Sequence, residues 1–173
     1  PKKKLPDKFA PLAALPKLPR PESSDPPPDL PALTGTEKIA AGEKEDAERI
    51  AMELIGALRA AQDKARDKED RSIPRGKRRL VSGLRECARG LRANKVRMIF
   101  MAANLDGYEA LDEKVLEIFR LCEDRDVVLF RFLSKRRLGK ALGKNVKMSV
   151  VAIENFEGAH DLHKKLRKAV GTF

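Results

Sequence analysis

Side chains suited to nucleophilic, acid–base or metal chemistry are scarce in this 173-residue chain. The two histidines, His160 and His163, have no cysteine or carboxylate set beside them at metal-ligand spacing. Cys87 and Cys122 fall on the apolar stripes of two expected helices, which predicts core residues rather than reactive thiols. The glycine-rich nucleotide loops and the HExxH and GxSxG motifs are absent from the sequence. We therefore expect no enzyme, no catalytic or metal residue and no cofactor.

Basic side chains are abundant instead, and they are unevenly distributed. The formal net charge is +11, made up of +2 in residues 1–36, −3 in residues 37–70 and +12 in residues 71–173. Aromatic residues are few: seven Phe, one Tyr and no Trp. This combination favours a polyanionic partner, held mainly by salt contacts rather than by base stacking. The sequence predicts nucleic-acid binding.

Two basic clusters are the candidates for that contact. Lys77, Arg78 and Arg79 precede an expected helix, and a second cluster follows the second expected strand. Because helix starts and strand ends meet at one rim of an α/β sheet, both clusters are expected on one surface. The residues of the second cluster and its continuation are Lys135, Arg136, Arg137, Lys140, Lys144 and Lys147.

Gly83 and Glu86 are unusual within such a surface. A glycine inside a helix costs about 1 kcal/mol relative to alanine, so the close approach of a phosphate backbone is one explanation for Gly83. A carboxylate repels phosphates, and Glu86 is better explained as an acceptor for base amino or imino groups. The alternative is an ion pair of Glu86 with Arg89 or Arg85.

The elements that must position these residues alternate along the chain. Apolar stripes predict helices over 78–93, 111–122, 134–142 (capped by Ser134) and 158–170, and apolar runs predict strands over 96–101, 127–133 and 148–153. The expected fold is α/β, a three-layer α/β/α sandwich with a mixed central sheet.

The preceding residues differ in composition. Ten of the eleven prolines lie within the first 31 positions, which predicts an extended proline-rich arm over 1–36, either a flexible linker or an arm along a partner surface. Residues 37–72 predict an amphipathic helix, over 43–70, and a linker, and 73–173 form the folded domain. Every apolar run is far shorter than the roughly 20 residues needed to cross a bilayer, so we expect no membrane partner.

The motifs of the third segment are similar to those of a known family. Residues 77–86, Asn104, residues 121–141 and residues 149–153 resemble the kink-turn-binding ribosomal-protein family. That family includes large-subunit ribosomal proteins and core proteins of box C/D and H/ACA particles, and the likeness is greatest to the SECIS-binding-protein branch. The resemblance covers about residues 77–165. It implies recognition of a sharply bent RNA helix with sheared G·A pairs and a flipped-out bulge nucleotide.

The resemblance also implies roles for individual residues. Gly83 to Glu86 match the family's G-x-N-E motif, with Arg85 in place of the usual Asn, and Glu86 would accept from guanine edges. Residues 145–148 match the loop that covers the bulge nucleotide. The loop 105–110 is shorter than in the SECIS-binding branch. The candidate RNA contacts are Lys77, Arg78, Arg79, Gly83, Arg85, Glu86, Arg89, Asn104, Lys135, Arg136, Lys140, Val146, Lys147 and Met148.

These observations lead to the expectation of a noncatalytic kink-turn-binding protein that is a structural component of a ribosome or ribosome-like translation particle. The alternatives are a SECIS-binding factor for selenocysteine insertion and, more remotely, an RNA-modifying enzyme. The expected partners are RNA, as rRNA or a structured messenger element, and neighbouring proteins of the particle through residues 1–70, with no small-molecule substrate. The expected location is cytoplasmic and ribosome-associated, with an organellar ribosome as the other option.

Overall fold

The computed structural model describes residues 41–68, 78–106 and 112–171. The predicted arm over 1–36 and the candidate contact Lys77 lie outside the described residues. The helices are α1 (Ala41–Lys68), α2 (Leu84–Arg92), α3 (Glu113–Asp124), α4 (Lys135–Ala141) and α5 (His160–Val170). The strands are β1 (Leu80–Ser82), β2 (Met98–Met101), β3 (Val128–Phe130) and β4 (Val150–Ile153).

The four strands form one mixed sheet in the order β1-β4-β2-β3. β4 runs antiparallel to both of its neighbours, with Val81 and Ile99 opposite Ala152, whereas β2 and β3 are parallel. Strands β1, β2 and β3 therefore all end where β4 begins. We call that side of the sheet the C-terminal rim, and the side where β4 ends the N-terminal rim.

Helices cover both faces of the sheet. One apolar cluster joins α1, α4 and α5 to residues such as Phe100, Phe130 and Ile153, and the other joins α2 and α3 to Ile99, Leu129 and Ala152. Successive strand residues enter opposite clusters because side chains alternate across a strand. The sandwich of three layers and the mixed sheet predicted from the sequence are confirmed.

Helix α1 is part of this core. Its apolar stripe is fully buried, and the helix packs against α5 and α4. The residues of that stripe are Ala47, Ala51, Leu54, Ile55 and Leu58. The hydrophobic core therefore continues from the predicted 73–173 domain into the 37–72 segment.

The prediction of a helix over 78–93 is wrong at its start. Leu80, Val81 and Ser82 form β1, paired with β4, and the helix begins only at Leu84. Leu80 and Val81 are buried in different clusters on the two faces of the sheet, which a helical stripe cannot achieve. Gly83 separates the two elements with a φ of 100°, outside the helical region.

The other predicted elements are present with shifted ends. Ser134 caps α4 as predicted, because its Oγ accepts a hydrogen bond from the backbone N–H of Arg137 at 3.3 Å. Among the described residues, no helix is both long and apolar enough to cross a bilayer.

Candidate nucleic-acid interface

The turn from β1 into α2 lies at the C-terminal rim. The N–H of Gly83 donates to the carbonyl of Val150 at 3.2 Å, which ties the turn to the start of β4. A Cβ at Gly83 would meet nothing within 4 Å, so this backbone borders open space. The glycine is required by its positive φ, which L-residues rarely adopt, rather than by a position inside a helix as predicted. The open space leaves room for an approaching ligand.

Glu86 lies in the first turn of α2 with its side chain 43% exposed. Its Oε2 is 2.6 Å from the guanidinium of Arg89, and 3.6 Å from that of Arg78. The ion pair with Arg89 that the sequence left as an alternative is therefore present. The carboxylate stays accessible to a ligand because its side chain is partly exposed.

Hydrogen bonds join three further segments at the same rim. The side-chain oxygen of Asn104 accepts from the backbone N–H of Lys135 at 2.8 Å, and the carbonyl of Lys135 accepts from the N–H of Met148 at 3.0 Å. The N–H of Ala102 donates to Ser149 at 2.8 Å. The loops after β2 and β3 and the loop before β4 are thus held together as one surface.

The loop over 143–148 presents the most unusual side chain of this surface. The side chain of Val146 is 58% exposed. Among the residues that the structure describes, it is the one large hydrophobic side chain that is exposed. Lys144 and Lys147 beside it are exposed, whereas Met148 is half-buried and packs on the core. The loop therefore offers an apolar tip between two cations.

Gly139 holds this loop against α4, a role that the sequence analysis missed. A Cβ at Gly139 would lie 1.9 Å from the carbonyl oxygen of Val146, and the carbonyl of Gly139 accepts from the N–H of Lys144 at 2.9 Å. Only glycine permits this contact. The signal in the sequence was a glycine within a short helix directly before the loop.

The basic clusters divide between the two rims. Arg136 and Lys140 are exposed on α4 beside the C-terminal rim. Arg79 precedes β1 at the N-terminal rim, where its Nε donates to the carbonyl of Glu157 at 2.9 Å. Arg137 forms an ion pair with Glu48 of α1. The expectation of a single surface thus fits Arg136 and Lys140, whereas the guanidinium of Arg79 bonds to the backbone on the α1 side.

The cysteines and one histidine are buried to different degrees. Burial raises the pKa of both Cys87 and Cys122 to about 12, so the nucleophilic thiolate is suppressed at neutral pH.

His163 stacks on Phe156 with ring centroids 3.8 Å apart, and burial and the nearby Arg167 lower its pKa. Within residues 41–68, 78–106 and 112–171, no group of three metal-ligating side chains forms.

The fold and this rim define a class of protein: a small α/β/α domain that displays cationic loops, an accessible carboxylate and an apolar loop tip on one side of its sheet. Residues 67–163, just over half of the chain, match the model of the Ribosomal protein L7Ae/L30e/S12e/Gadd45 family. The chain belongs to this family. The resemblance to the kink-turn-binding ribosomal-protein family is thereby confirmed.

Individual relatives agree with this assignment. The chain is 30% identical over 95 residues to the human Selenocysteine insertion sequence-binding protein 2-like, covering 53% of this chain and 9% of that one. It is 31% identical over 93 residues to the rat Selenocysteine insertion sequence-binding protein 2, covering 52% and 11%. The matched region thus spans about a tenth of the length of these relatives.

A solved structure shares the fold. The Giardia lamblia 15.5kD RNA binding protein superimposes with a TM-score of 0.55 at 20% identity, covering 81% of this chain and 95% of that one. The superposition covers more of the chain than the 97 residues from 67 to 163 that match the family model.

Proposed function

We propose that this chain is an RNA-binding protein that recognises a kink-turn through its C-terminal rim. The observation that carries the proposal is the convergence of three separate segments on that rim: the turn at Gly83, the loop at Lys135 and the loop before β4. Each segment supplies a different chemistry, namely a carboxylate, cations and an apolar tip. The names of the relatives describe an RNA-binding protein and insertion-sequence-binding proteins, which supports the same class of partner.

Glu86 supplies the specificity in this proposal. An ionised carboxylate only accepts hydrogen bonds, so it pairs with amino and imino donors on bases and is repelled by phosphates. Sheared G·A pairs leave guanine donors of this kind free for a protein acceptor, whereas Watson–Crick pairing in a regular duplex uses the guanine imino N–H. Arg89, 2.6 Å from the carboxylate, orients Glu86 and stays exposed for a neighbouring phosphate.

In this proposal Val146 packs against the flipped-out base of the bulge. A flipped-out base exposes its apolar face to water, and contact with an aliphatic side chain buries both surfaces. Val146 is exposed on a loop that Gly139 holds in place, so the contact needs little rearrangement of the protein. Lys144 and Lys147 flank it and attract the backbone phosphates of the same nucleotide.

The proposed biological role is that of a noncatalytic component of a ribosome or ribosome-like translation particle. The family's description as ribosomal protein supports this role. We further propose a cytoplasmic, ribosome-associated location and contacts of residues 1–70 with neighbouring proteins of the particle. Stoichiometric co-purification with ribosomal subunits after a high-salt wash is the expected result.

A second candidate function is a SECIS-binding factor that acts in trans. The identity of 30–31% to two proteins named for binding the selenocysteine insertion sequence favours it. Selective recovery of selenoprotein messages with the tagged chain supports this candidate. Recovery of ribosomal subunits alone supports the resident component instead.

The shared claim of kink-turn recognition has a direct test. The affinity of the full chain is measured for a kink-turn RNA and for the same RNA with the sheared G·A pairs replaced by Watson–Crick pairs. A fall of about 5- to 150-fold is expected, since buried donors or acceptors left unpaired cost about 1–3 kcal/mol. Equal affinities for the two RNAs contradict the proposal.

A further inference from the structure

A second basic surface lies at the N-terminal rim, on the side away from the 143–148 loop. The ends of three strands build it: Arg78 precedes β1, Lys95 and Arg97 precede β2, and Glu154 follows β4. The N–H of Arg97 donates to Ile153 at 2.8 Å, which brings the start of β2 against the end of β4. Together with α2 these segments enclose an open groove of about 1130 Å³. We call it the N-terminal groove.

The lining of the groove favours a nucleic acid as its ligand. Its cations are Arg78, Arg89, Lys95 and Arg97, and its neutral or acidic polar groups are Asn94, Asn155, Glu86 and Glu154. Cations can neutralise a backbone of phosphates, and the carboxylates and amides can pair with base edges.

Lys95 and Arg97 are the cations most available to a ligand. Both side chains are exposed, and neither forms a hydrogen bond or ion pair within the part of the chain that the structure describes. Arg78 and Arg89, by contrast, are both near Glu86. Glu86 and Glu154 disfavour an acidic polypeptide, because their carboxylates repel its negatively charged side chains.

Helix α2 connects the groove with the proposed kink-turn site. The helix begins at the C-terminal rim with Leu84 and ends at the N-terminal rim with Arg92, a distance of about 13 Å. Glu86 and Arg89 of this helix line the groove and also flank the proposed site. An RNA strand that leaves the kink-turn along the exposed side of α2 therefore enters the groove.

We propose that the N-terminal groove binds single-stranded RNA that continues from the kink-turn, with Lys95 and Arg97 contacting its phosphates. The proposal rests on the proposed function, because the kink-turn delivers the strand to the groove.

The test uses the full chain and two RNAs: a minimal kink-turn, and the same kink-turn with a single-stranded extension of about eight nucleotides. The extension is expected to tighten binding by roughly tenfold. The double variant Lys95→Gln/Arg97→Gln is expected to lose this gain while binding the minimal RNA like the unmodified protein. For the extended RNA, the slope of log K against log salt should fall by about 1.4 in magnitude.

The matched control is Lys64→Gln/Arg66→Gln, which removes the same charge from exposed positions on α1. It should keep the gain from the extension. The proposal is overturned if the unmodified protein binds both RNAs equally, or if the control loses as much as the groove variant. It is also overturned if poly-glutamate binds in a manner that depends on Lys95 and Arg97 while the extension adds nothing.

Failure of kink-turn recognition gives a different result. In that case, replacing the sheared pairs leaves the affinity for the minimal RNA unchanged, whatever the residues at positions 95 and 97. A gain from the extension that depends on Lys95 and Arg97 would then still support single-strand binding by the groove.

Discussion

The carboxylate of Glu86 and the guanidinium of Arg89 lie 2.6 Å apart, one turn from each other on α2. Both side chains are substantially exposed, so the pair contributes at most about 1 kcal/mol to stability. Its importance lies in orientation, because it holds an acceptor at the mouth of a cationic rim. We therefore assign this carboxylate, as part of the proposed function, to base recognition.

Glu86→Gln is expected to leave stability nearly unchanged and to weaken kink-turn binding by about 5- to 150-fold, since it removes an acceptor from paired base donors. Thermal unfolding and equilibrium RNA binding measure the two effects. Glu117→Gln is the matched control, because Glu117 is likewise a surface carboxylate paired with Arg92 and Lys114, but on α3. Equal losses of RNA affinity in both variants contradict the role of Glu86.

Gly139→Ala is expected to displace the 143–148 loop. The new methyl group would overlap the carbonyl of Val146, and overpacking of this kind costs about 1–3 kcal/mol. We expect a lower melting temperature and weaker RNA binding. Gly56→Ala is the control, since its Cβ would lie 3.8 Å from the carbonyl of Ala141 and helix propensity should stabilise the protein by about 0.5–1 kcal/mol. Unchanged stability and affinity of Gly139→Ala argue against the described contact.

Val146→Ala tests the apolar tip of the loop. Because Val146 is 58% exposed, the free energy of unfolding should change by less than about 0.5 kcal/mol. Removal of two buried carbon atoms from the bulge contact should weaken RNA binding by roughly tenfold. The loss should vanish for an RNA with an abasic site in place of the bulge nucleotide. A loss that persists with the abasic RNA shows that Val146 does not contact that base.

His163 makes the stability of the protein depend on pH. Burial, Arg167 and His160 lower its pKa below the usual value near 6.5, so the unfolded chain binds a proton more readily than the folded one. The stability that comes from keeping His163 neutral is fully present above the pKa of this histidine in the unfolded chain. It is lost as the pH falls through the lower pKa of the folded protein. Urea unfolding between about pH 7.5 and 5.5 should therefore show decreasing stability.

His163→Phe keeps a ring against Phe156 and removes the titration, so its stability should depend less on pH over that range. Identical slopes for the variant and the unmodified protein contradict the account. Lys164→Gln, at an exposed position on the same helix, is the control and should keep the pH dependence of the unmodified protein.

The sequence predicted the layers of the fold, because buried strands and amphipathic helices have distinct periodicities. β1 was missed because a three-residue strand is too short to show alternation, and its Leu80 also fits the stripe of the following helix. The sequence also did not predict that the core extends to α1, because an apolar stripe on a helix does not identify the surface against which the helix packs. Only the fold shows that this surface is α5 and α4.

The candidate site was predicted in part. The sequence predicted that strand ends and helix starts share one rim, and the structure brings Gly83, Asn104, Lys135 and the 143–148 loop together at such a rim. Gly83 had been expected inside a helix, however, because β1 was missed. The directions in which individual long side chains point could not be predicted from the sequence. Arg78 and Arg79 are adjacent in sequence, yet one guanidinium approaches Glu86 and the other donates to Glu157, because neighbouring residues of an extended segment point to opposite sides.

The most direct test of the central claim is a double-mutant cycle between Glu86 and the sheared G·A pairs. Binding is measured for the unmodified protein and Glu86→Gln, each with the kink-turn RNA and with its Watson–Crick-paired counterpart. If Glu86 contacts those pairs, the substitution should have almost no further effect on the counterpart, with a coupling energy of about 1–3 kcal/mol. Additive losses, with a coupling energy near zero, would contradict recognition of the sheared pairs by Glu86.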